Sequence, residues 1–462
     1  MKLIYNVKDK PKFGQLIIFA FQQLLAILAA TIAVPAIIGN DMDPAAAMIG
    51  AGVGTIVYLL FTKFRSPVFL GSSFAFLGSM GAAFAGGVSM QLGYLGLIIG
   101  AIFAGLVYVV IAIIVKIAGV NWINKLMPAV VIGPVVALIG LSLAGNAVGD
   151  LQTSNIEGGS PYVAIICGLI TLAVIIISST YGKKMAKLIP FIIGILAGYV
   201  AAVIFSLIGS ATGNEALKVI NFSAFANLTI DGFTLSTIFH LPRFTFLTAA
   251  EGFAALKENM SYLGTIAVAY IPVAFVVFAE HIADHKNISS IIEKDLLEDP
   301  GLHRTLLGDG IGSMAGAFFG GCPNTTYGES IGCVAITKNA SISTIFCAAI
   351  EVIIVAFFAP FVAFINSIPS CVMGGVCMAL YGFIAVSGLK MVQHVDLNKN
   401  KNLFVVSVIL ISGIGGLSLT FGKVTITTIA CALILGILTN LLVSKKKDDK
   451  DDVDDVENQI IK

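Results

Sequence analysis

The stretch "CPNTTYGESIGCVAIT" (322–337) decides how this chain is read. It opens with strand-favouring residues, is rich in glycine, and places Glu329 where no other charge stands before Lys338. Around it lies a sequence of 462 residues that is 57% hydrophobic and 11% charged, where a soluble protein is about a quarter charged. Long apolar runs, rather than ten-residue alternations, mark an integral membrane protein built of helices. A second stretch, "FLGSSFAFLGSMGAAFAGG" (69–87), shares the same odd character, short and glycine-rich with a strand-like start. Neither makes a good spanning helix.

Extended backbone in hydrocarbon leaves N–H and C=O groups unpaired at several kcal/mol each, so it survives only when paired within protein or lining a cavity. Two short strands, one from each odd stretch, can pair antiparallel with one another. Each then runs into a half-helix whose N-terminus carries partial positive charge and free N–H donors. The crossing point is a polar pocket, with Phe74 from one stretch beside Tyr327, Gly328 and Glu329 from the other.

Working outward, about fourteen apolar segments fall near 14–38, 44–62, 69–87, 93–117, 124–146, 160–180, 187–210, 263–284, 305–321, 323–339, 341–366, 368–390, 402–420 and 424–443. The first is too long for a signal-peptide core and reads as a retained helix. With an even count and a cytoplasmic N-terminus, all 27 Lys and Arg residues except Lys218, Arg243, Lys257 and Lys423 fall inside, as the positive-inside rule asks. The stretch 211–262 becomes a long external connection, in which "FLTAAEGFAALKENM" suits a short helix on the outer surface. The run at 444–462 reads as a solvated, disordered cytoplasmic tail.

"PAVVIG" (128–133) and "PSCVMG" (369–374), the two odd stretches, and the spans at 14–38 and 263–284 recur at a similar offset. The chain divides into halves of seven segments. Seven is odd, so the second half enters from the opposite side. Inverted repeats with interrupted segments at matching positions point to a secondary transporter with its site near the bilayer midplane.

A carboxylate at the bilayer centre costs about 2.5–3.5 kcal/mol, so it marks a substrate or proton path by default. Glu280 and Asp284, in "FVVFAEHIADHKN" (275–287), are four apart and share a helix face. Two such acids repel when both are ionised, which suits groups that take and release protons. The blander reading is a helix end meeting cytoplasmic water. For Glu329 it is an acid at the start of a half-helix, which is compatible with ligand binding. Asp309 and His281 read as hydrogen-bonding residues of the packing. Glu351 has no evident partner.

The seven cysteines lie mostly in apolar runs without metal-ligand or disulfide spacing. Neither a phosphate-binding loop nor a nucleophile with a nearby base is evident, so no enzyme chemistry, cofactor or metal is expected. Nor does any basic, aromatic patch suggest nucleic acid. Transport is then driven by an ion gradient.

At "SSFAF" (72–76), "AEHIADHKNIS" (279–289), "DPGLHRTLLGDG" (299–310) and "PNTTYGESIGCVAITK" (323–338) the chain resembles the nucleobase–ascorbate transporters, or nucleobase:cation symporters, and within them the bacterial uracil permeases. The resemblance runs from about Phe13 to Leu442. It implies an all-α polytopic protein of fourteen segments in a 7+7 inverted repeat, two of them broken by short antiparallel strands. It also implies a core domain (14–117 and 263–366), a gate domain (124–210 and 368–443), a homodimer, and a bacterial cytoplasmic membrane with both termini inside.

Carried over, Ala30 and Phe74 line a nucleobase site. Glu280 and Glu329 accept the base's N–H groups, and the backbone at Tyr327 and Gly328 meets a ring carbonyl. Tyr381 approaches from the gate, while Glu280 and Asp284 serve proton coupling. The implied activity is proton-coupled uracil import. A purine permease, an anion transporter of the same fold, and a nucleobase channel or sensor are the alternatives. Two positions depart from the family pattern: Ser330 stands where Asn is usual, and Gln22-Gln23 where Gln-His is usual.

Overall fold

A computed structural model describes residues 3–119, 128–183, 185–230, 232–421 and 424–444. The charged tail from 445 on, the start of the segment read as 124–146, and Lys2, Lys125, Lys184 and Lys423 lie outside the described residues. The chain is mostly helical. Helices α1 (Phe13–Ile38) and α2 (Pro44–Phe61) lead to strand β1 (Leu70–Ser72), a tight helical turn at Phe74–Phe76, half-helix α3 (Leu77–Phe84), and α4 (Met90–Ala118). Then come α5 (Ala129–Ser142), α6 (Ala144–Leu151), α7 (Pro161–Tyr181) and α8 (Pro190–Thr212).

The second half repeats the scheme. Helices α9 (Ser261–Ile292) and α10 (Leu302–Gly320) precede strand β2 (Asn324–Thr326) and half-helix α11 (Gly328–Thr337). Helices α12 (Ile342–Ala356), α13 (Ala359–Ser367), α14 (Ser370–Gln393), α15 (Asn400–Ile414) and α16 (Thr428–Val443) complete it. Pro128 and Pro369, the first residues of the two matching hexapeptides, occupy the same place, immediately before α5 and α14. There the missing N–H costs nothing.

Among the described residues, eight helices are long and apolar enough to cross a bilayer. In this count α5 and α6 stand as one continuous helix; of the other stretches that the sequence counts as segments, α10 is long enough but less apolar, and the rest are shorter. Two are half-helices, because a paired strand takes up the rest of their length. α12, α15 and α16 are apolar but have only 15, 15 and 16 residues.

Helices α1, α2, α4, α9, α10 and α12 pack chiefly among themselves, and α5–α8 with α14–α16 form a second group. The most extensive helix pairing joins α2 to α10, where Gly50 and Gly54 face Gly312 and Gly316. Lipid offers no hydrophobic drive for helix pairing, so small residues that let backbones approach supply it instead.

The connection 211–262 is fastened at both ends. At α8, Ser206 Oγ accepts the N–H groups of Val219 and Ile220 at 3.0 and 3.2 Å. At the other end, Asp43 accepts the Arg243 N–H at 2.8 Å and contacts His240 at 3.3 Å. Burial works against the ionised Asp43. Hydrogen bonds from His240, Arg243 and Ala45 outweigh it and hold the carboxyl below its ordinary range. The stretch expected to be helical forms two short helices, Thr245–Ala250 and Gly252–Glu258.

Candidate functional site

Strands β1 and β2 pair antiparallel, Leu70 with Thr326, Gly71 with Thr325 and Ser72 with Asn324. The ladder runs one step further at each end. Ser73 N–H donates to Pro323 O at 2.9 Å, and Tyr327 N–H donates to Phe69 O at 3.1 Å. All six strand residues are buried. The extended backbone is thus paired with itself, which is what makes it tolerable at this depth. Gly71 is required: a Cβ there would strike the Tyr327 ring, whose hydroxyl donates to Ser72 O at 2.7 Å. Asn324 Nδ2 donates to Gly50 O at 3.0 Å and fixes β2 to α2.

Past the ladder each chain turns helical, at Phe74 and at Gly328, and the first-turn N–H groups of α11 lack partners within their own helix. A cavity of about 380 Å³ opens there. One wall carries Phe74, Glu280, Asp284, Tyr327, Gly328 and Glu329. Facing it are Val136 and Ile139 of α5, Phe191 of α8, and Leu380, Phe383, Ser387 and Met391 of α14. The cavity therefore lies on the seam between the two helix groups.

Of the residues singled out in the sequence, these six share the wall. Ala30 and Tyr381 do not line the cavity. Ala30 is 2% exposed, in the same packed cluster as Tyr327. Tyr381 is also 2% exposed and stands edge-on to Phe74, with ring centroids 5.9 Å apart. Glu351 sits away from the site on α12, with Cys347 Sγ 3.7 Å from one carboxyl oxygen.

Helix α9 presents two chemically different faces. Glu280 and Asp284 face the cavity, where Thr326 Oγ1 donates to Asp284 Oδ2 at 2.6 Å. A neighbouring face carries His281 and His285, whose rings stack with centroids 4.0 Å apart. His281 hydrogen-bonds Asp309 Oδ2 at 2.7 Å and Thr305 Oγ1 at 2.9 Å. His285 hydrogen-bonds the Tyr58 hydroxyl at 2.6 Å. The histidines and Asp309 therefore tie α9 to α2 and α10 and set the pitch at which its acids enter the cavity.

The two family departures meet in space. Gln23 Nε2 donates to Ser330 Oγ at 2.5 Å and to Ser330 O at 3.2 Å, while Phe69 N–H donates to the same Oγ at 3.2 Å. This buried knot joins α1, the start of β1 and the first turn of α11, one residue from Glu329. Gln23→Leu strips two acceptors of a donor in a site closed to water. The expected result is a loss of about 1–3 kcal/mol of stability and a lower melting temperature in detergent, with Ser330→Ala milder. An unchanged melting temperature in Gln23→Leu would remove the knot from the account.

Sequence reasoning missed Ser73, Thr325 and Thr326, which also line the cavity. All three lie inside the quoted motifs, where only their neighbours were singled out. The lining residues of α5, α8 and α14 carry no such signal, since all but Ser387 look like ordinary apolar helix residues.

Chemically the wall offers carboxyl groups, free backbone donors and the aromatic rings of Phe74 and Tyr327. That set suits a small, flat, neutral ring with both N–H and C=O groups.

Residues 14–421 match the sequence model of a family described as the permease family. The uracil permease of Bacillus caldolyticus is 38% identical over 96% of this chain and 95% of its own length. The uracil permeases of Bacillus subtilis strain 168 and Escherichia coli K12 are 35% and 36% identical, covering 97% and 95% of this chain and 97% and 93% of their own lengths. Among solved structures, the transmembrane domain of the cyanobacterial bicarbonate transporter BicA superposes with a TM-score of 0.61 at 15% identity, covering 94% of this chain and all of that one. SLC26A9 gives 0.63 at 11% identity, covering 94% of this chain and 66% of that one. At these identities the likeness is one of fold.

Proposed function

The chain belongs to the permease family, and from that membership we propose that it imports a nucleobase, uracil before any other, together with a proton. It is a transporter and not an enzyme. The observation that carries the reading is the acid-lined cavity at the strand crossing. Uracil has two N–H donors and two carbonyl acceptors. Glu280 and Glu329 accept the donors, the backbone at Tyr327 and Gly328 serves a carbonyl, and Phe74 stacks on the ring. A wrong base leaves buried polar groups unpaired at about 1–3 kcal/mol each. Glu280 and Asp284 take and release the proton. Ala30 and Tyr381 join the site as the two helix groups close around the base.

The same proposal includes fourteen segments in two inverted halves, a moving core (α1–α4 and α9–α13), a gate (α5–α8 and α14–α16) and a homodimer. The seam position of the cavity supports a core–gate movement, since sliding one group on the other changes which side the cavity faces. The lysine and arginine distribution supports both termini inside, and the bacterial relatives support a bacterial cytoplasmic membrane.

The test is uptake of labelled uracil by proteoliposomes under an imposed proton gradient. Accumulation that a protonophore collapses is expected, and its absence in the wild type ends the uracil claim. Competition by unlabelled purines separates the purine reading, and flux indifferent to any gradient would make it a channel. An anion is disfavoured by the three carboxyl groups on the cavity wall.

A further inference from the structure

We infer that the Thr326 hydroxyl is the link between the proton on Asp284 and the affinity for the base. The inference rests on the nucleobase reading above. Thr326 is 1% exposed, and its backbone is held in the ladder opposite Leu70. Its branched side chain is stiff about the first torsion, so the hydroxyl hydrogen is the part left free to turn. Thr326 Oγ1 donates to Asp284 Oδ2 at 2.6 Å, a separation typical of a hydroxyl on a carboxylate. Among the described residues no other hydrogen-bond partner is found for it. Both side chains line the cavity.

A hydroxyl has one hydrogen to give. While Asp284 is ionised, that hydrogen is committed to the carboxylate. When Asp284 takes its proton on Oδ2, that oxygen becomes a donor, and Thr326 Oγ1 is the acceptor nearest to hand. The threonine hydrogen must then turn away, and the cavity is where an acceptor can stand: a ring carbonyl of the base. Proton loading thus adds one donor to the base site without any backbone movement. By reciprocity, a bound base that accepts this hydrogen favours the proton on Asp284.

The other ionisable or charged groups about Asp284 set the background. They are Glu280, His281 and His285 on α9, Glu329 on α11, Asp309 on α10 and Tyr58 on α2. No charged residue of α14 lines the cavity. None of these groups hydrogen-bonds Thr326, so changing Thr326 leaves them chemically as they are.

The experiment is calorimetric titration of the purified full chain with uracil across mildly acid to mildly alkaline pH. Wild type should bind at least about fivefold tighter on the acid side, and Thr326→Val should flatten that difference to about twofold or less. Thr326→Ser should keep it. Should the valine protein fail to fold, Thr326→Cys carries the test, because a thiol is a poor donor of similar size and should also flatten the profile.

A foldable Val or Cys variant with the wild-type pH profile overturns the inference. So does a serine variant as flat as valine, which would assign the effect to shape, or a wild type that binds without pH dependence. A wild type that binds no uracil at any pH sinks instead the functional reading beneath it.

Discussion

Glu329→Gln is expected to lose uracil binding and uptake while the protein still folds. Glu329 lies in the first turn of α11, lines the cavity, and when ionised presents a group that can only accept. Glutamine keeps the shape but replaces one acceptor oxygen with an NH2. If the base donates N–H to that oxygen, two donors then meet in a closed site. One charge-assisted bond is lost and two polar groups go unpaired, which together weaken binding by about a hundredfold to a thousandfold. The fold loses less, since an acid in a first helical turn contributes only about 0.3–1 kcal/mol through the helix dipole. Asp284→Asn behaves differently: it removes the group that carries the proton but none of the acceptors proposed for the base, so binding suffers less than proton-driven accumulation. Calorimetry on both variants, beside proteoliposome uptake, separates the two roles. Wild-type affinity in Glu329→Gln would take that residue out of the site.

The broken segments were legible because their composition contradicts their setting. Glycine, threonine and proline in a run that ought to be leucine and alanine mark a place where backbone, not side chain, meets a partner. Antiparallel pairing of β1 and β2 followed from the need to satisfy that backbone. Glu280 and Asp284 were legible as a face because their spacing is helical, and the same spacing puts His281 and His285 on a neighbouring face. The Gln23–Ser330 knot was not legible, because its members are 307 positions apart and each was noticed only as a departure from a pattern. Nor was the far wall of the cavity, since Val136, Phe191 and Phe383 differ in no local way from residues that face lipid. Ala30 and Tyr381 mark a further limit. A family motif names what surrounds a ligand at some stage of a cycle, whereas this conformation has both packed beside the wall rather than on it.

The tightest constraint on the site lies outside it. Glycines recur every fourth position in α10, at 308, 312, 316 and 320, as they do at 50 and 54 in α2. A Cβ on Gly312 would stand 2.7 Å from Gly54 O and 2.7 Å from Leu70 Cδ1, distances real side chains do not tolerate. The Gly54 side is a backbone carbonyl that cannot turn aside; on the other side the terminal methyl of Leu70, fully buried on β1, can turn only by pressing into its own neighbours. Gly312→Val is therefore expected to part α2 from α10 and push β1 out of register. The cost is at least about 3 kcal/mol, at the top of the range for overpacking, because little but close packing holds these helices together in lipid. The readout is a monodisperse peak and a melting curve in detergent. Gly145→Ala on α6 is the control: nothing lies within 4 Å of the added carbon, and alanine suits a helix better than glycine. A Gly312→Val protein that melts with the wild type would mean that the α2–α10 contact can open without cost. The strand pair, fixed through Asn324 to Gly50 and through Leu70 to Gly312, would then need some other support for the backbone geometry that positions Phe74 and Glu329.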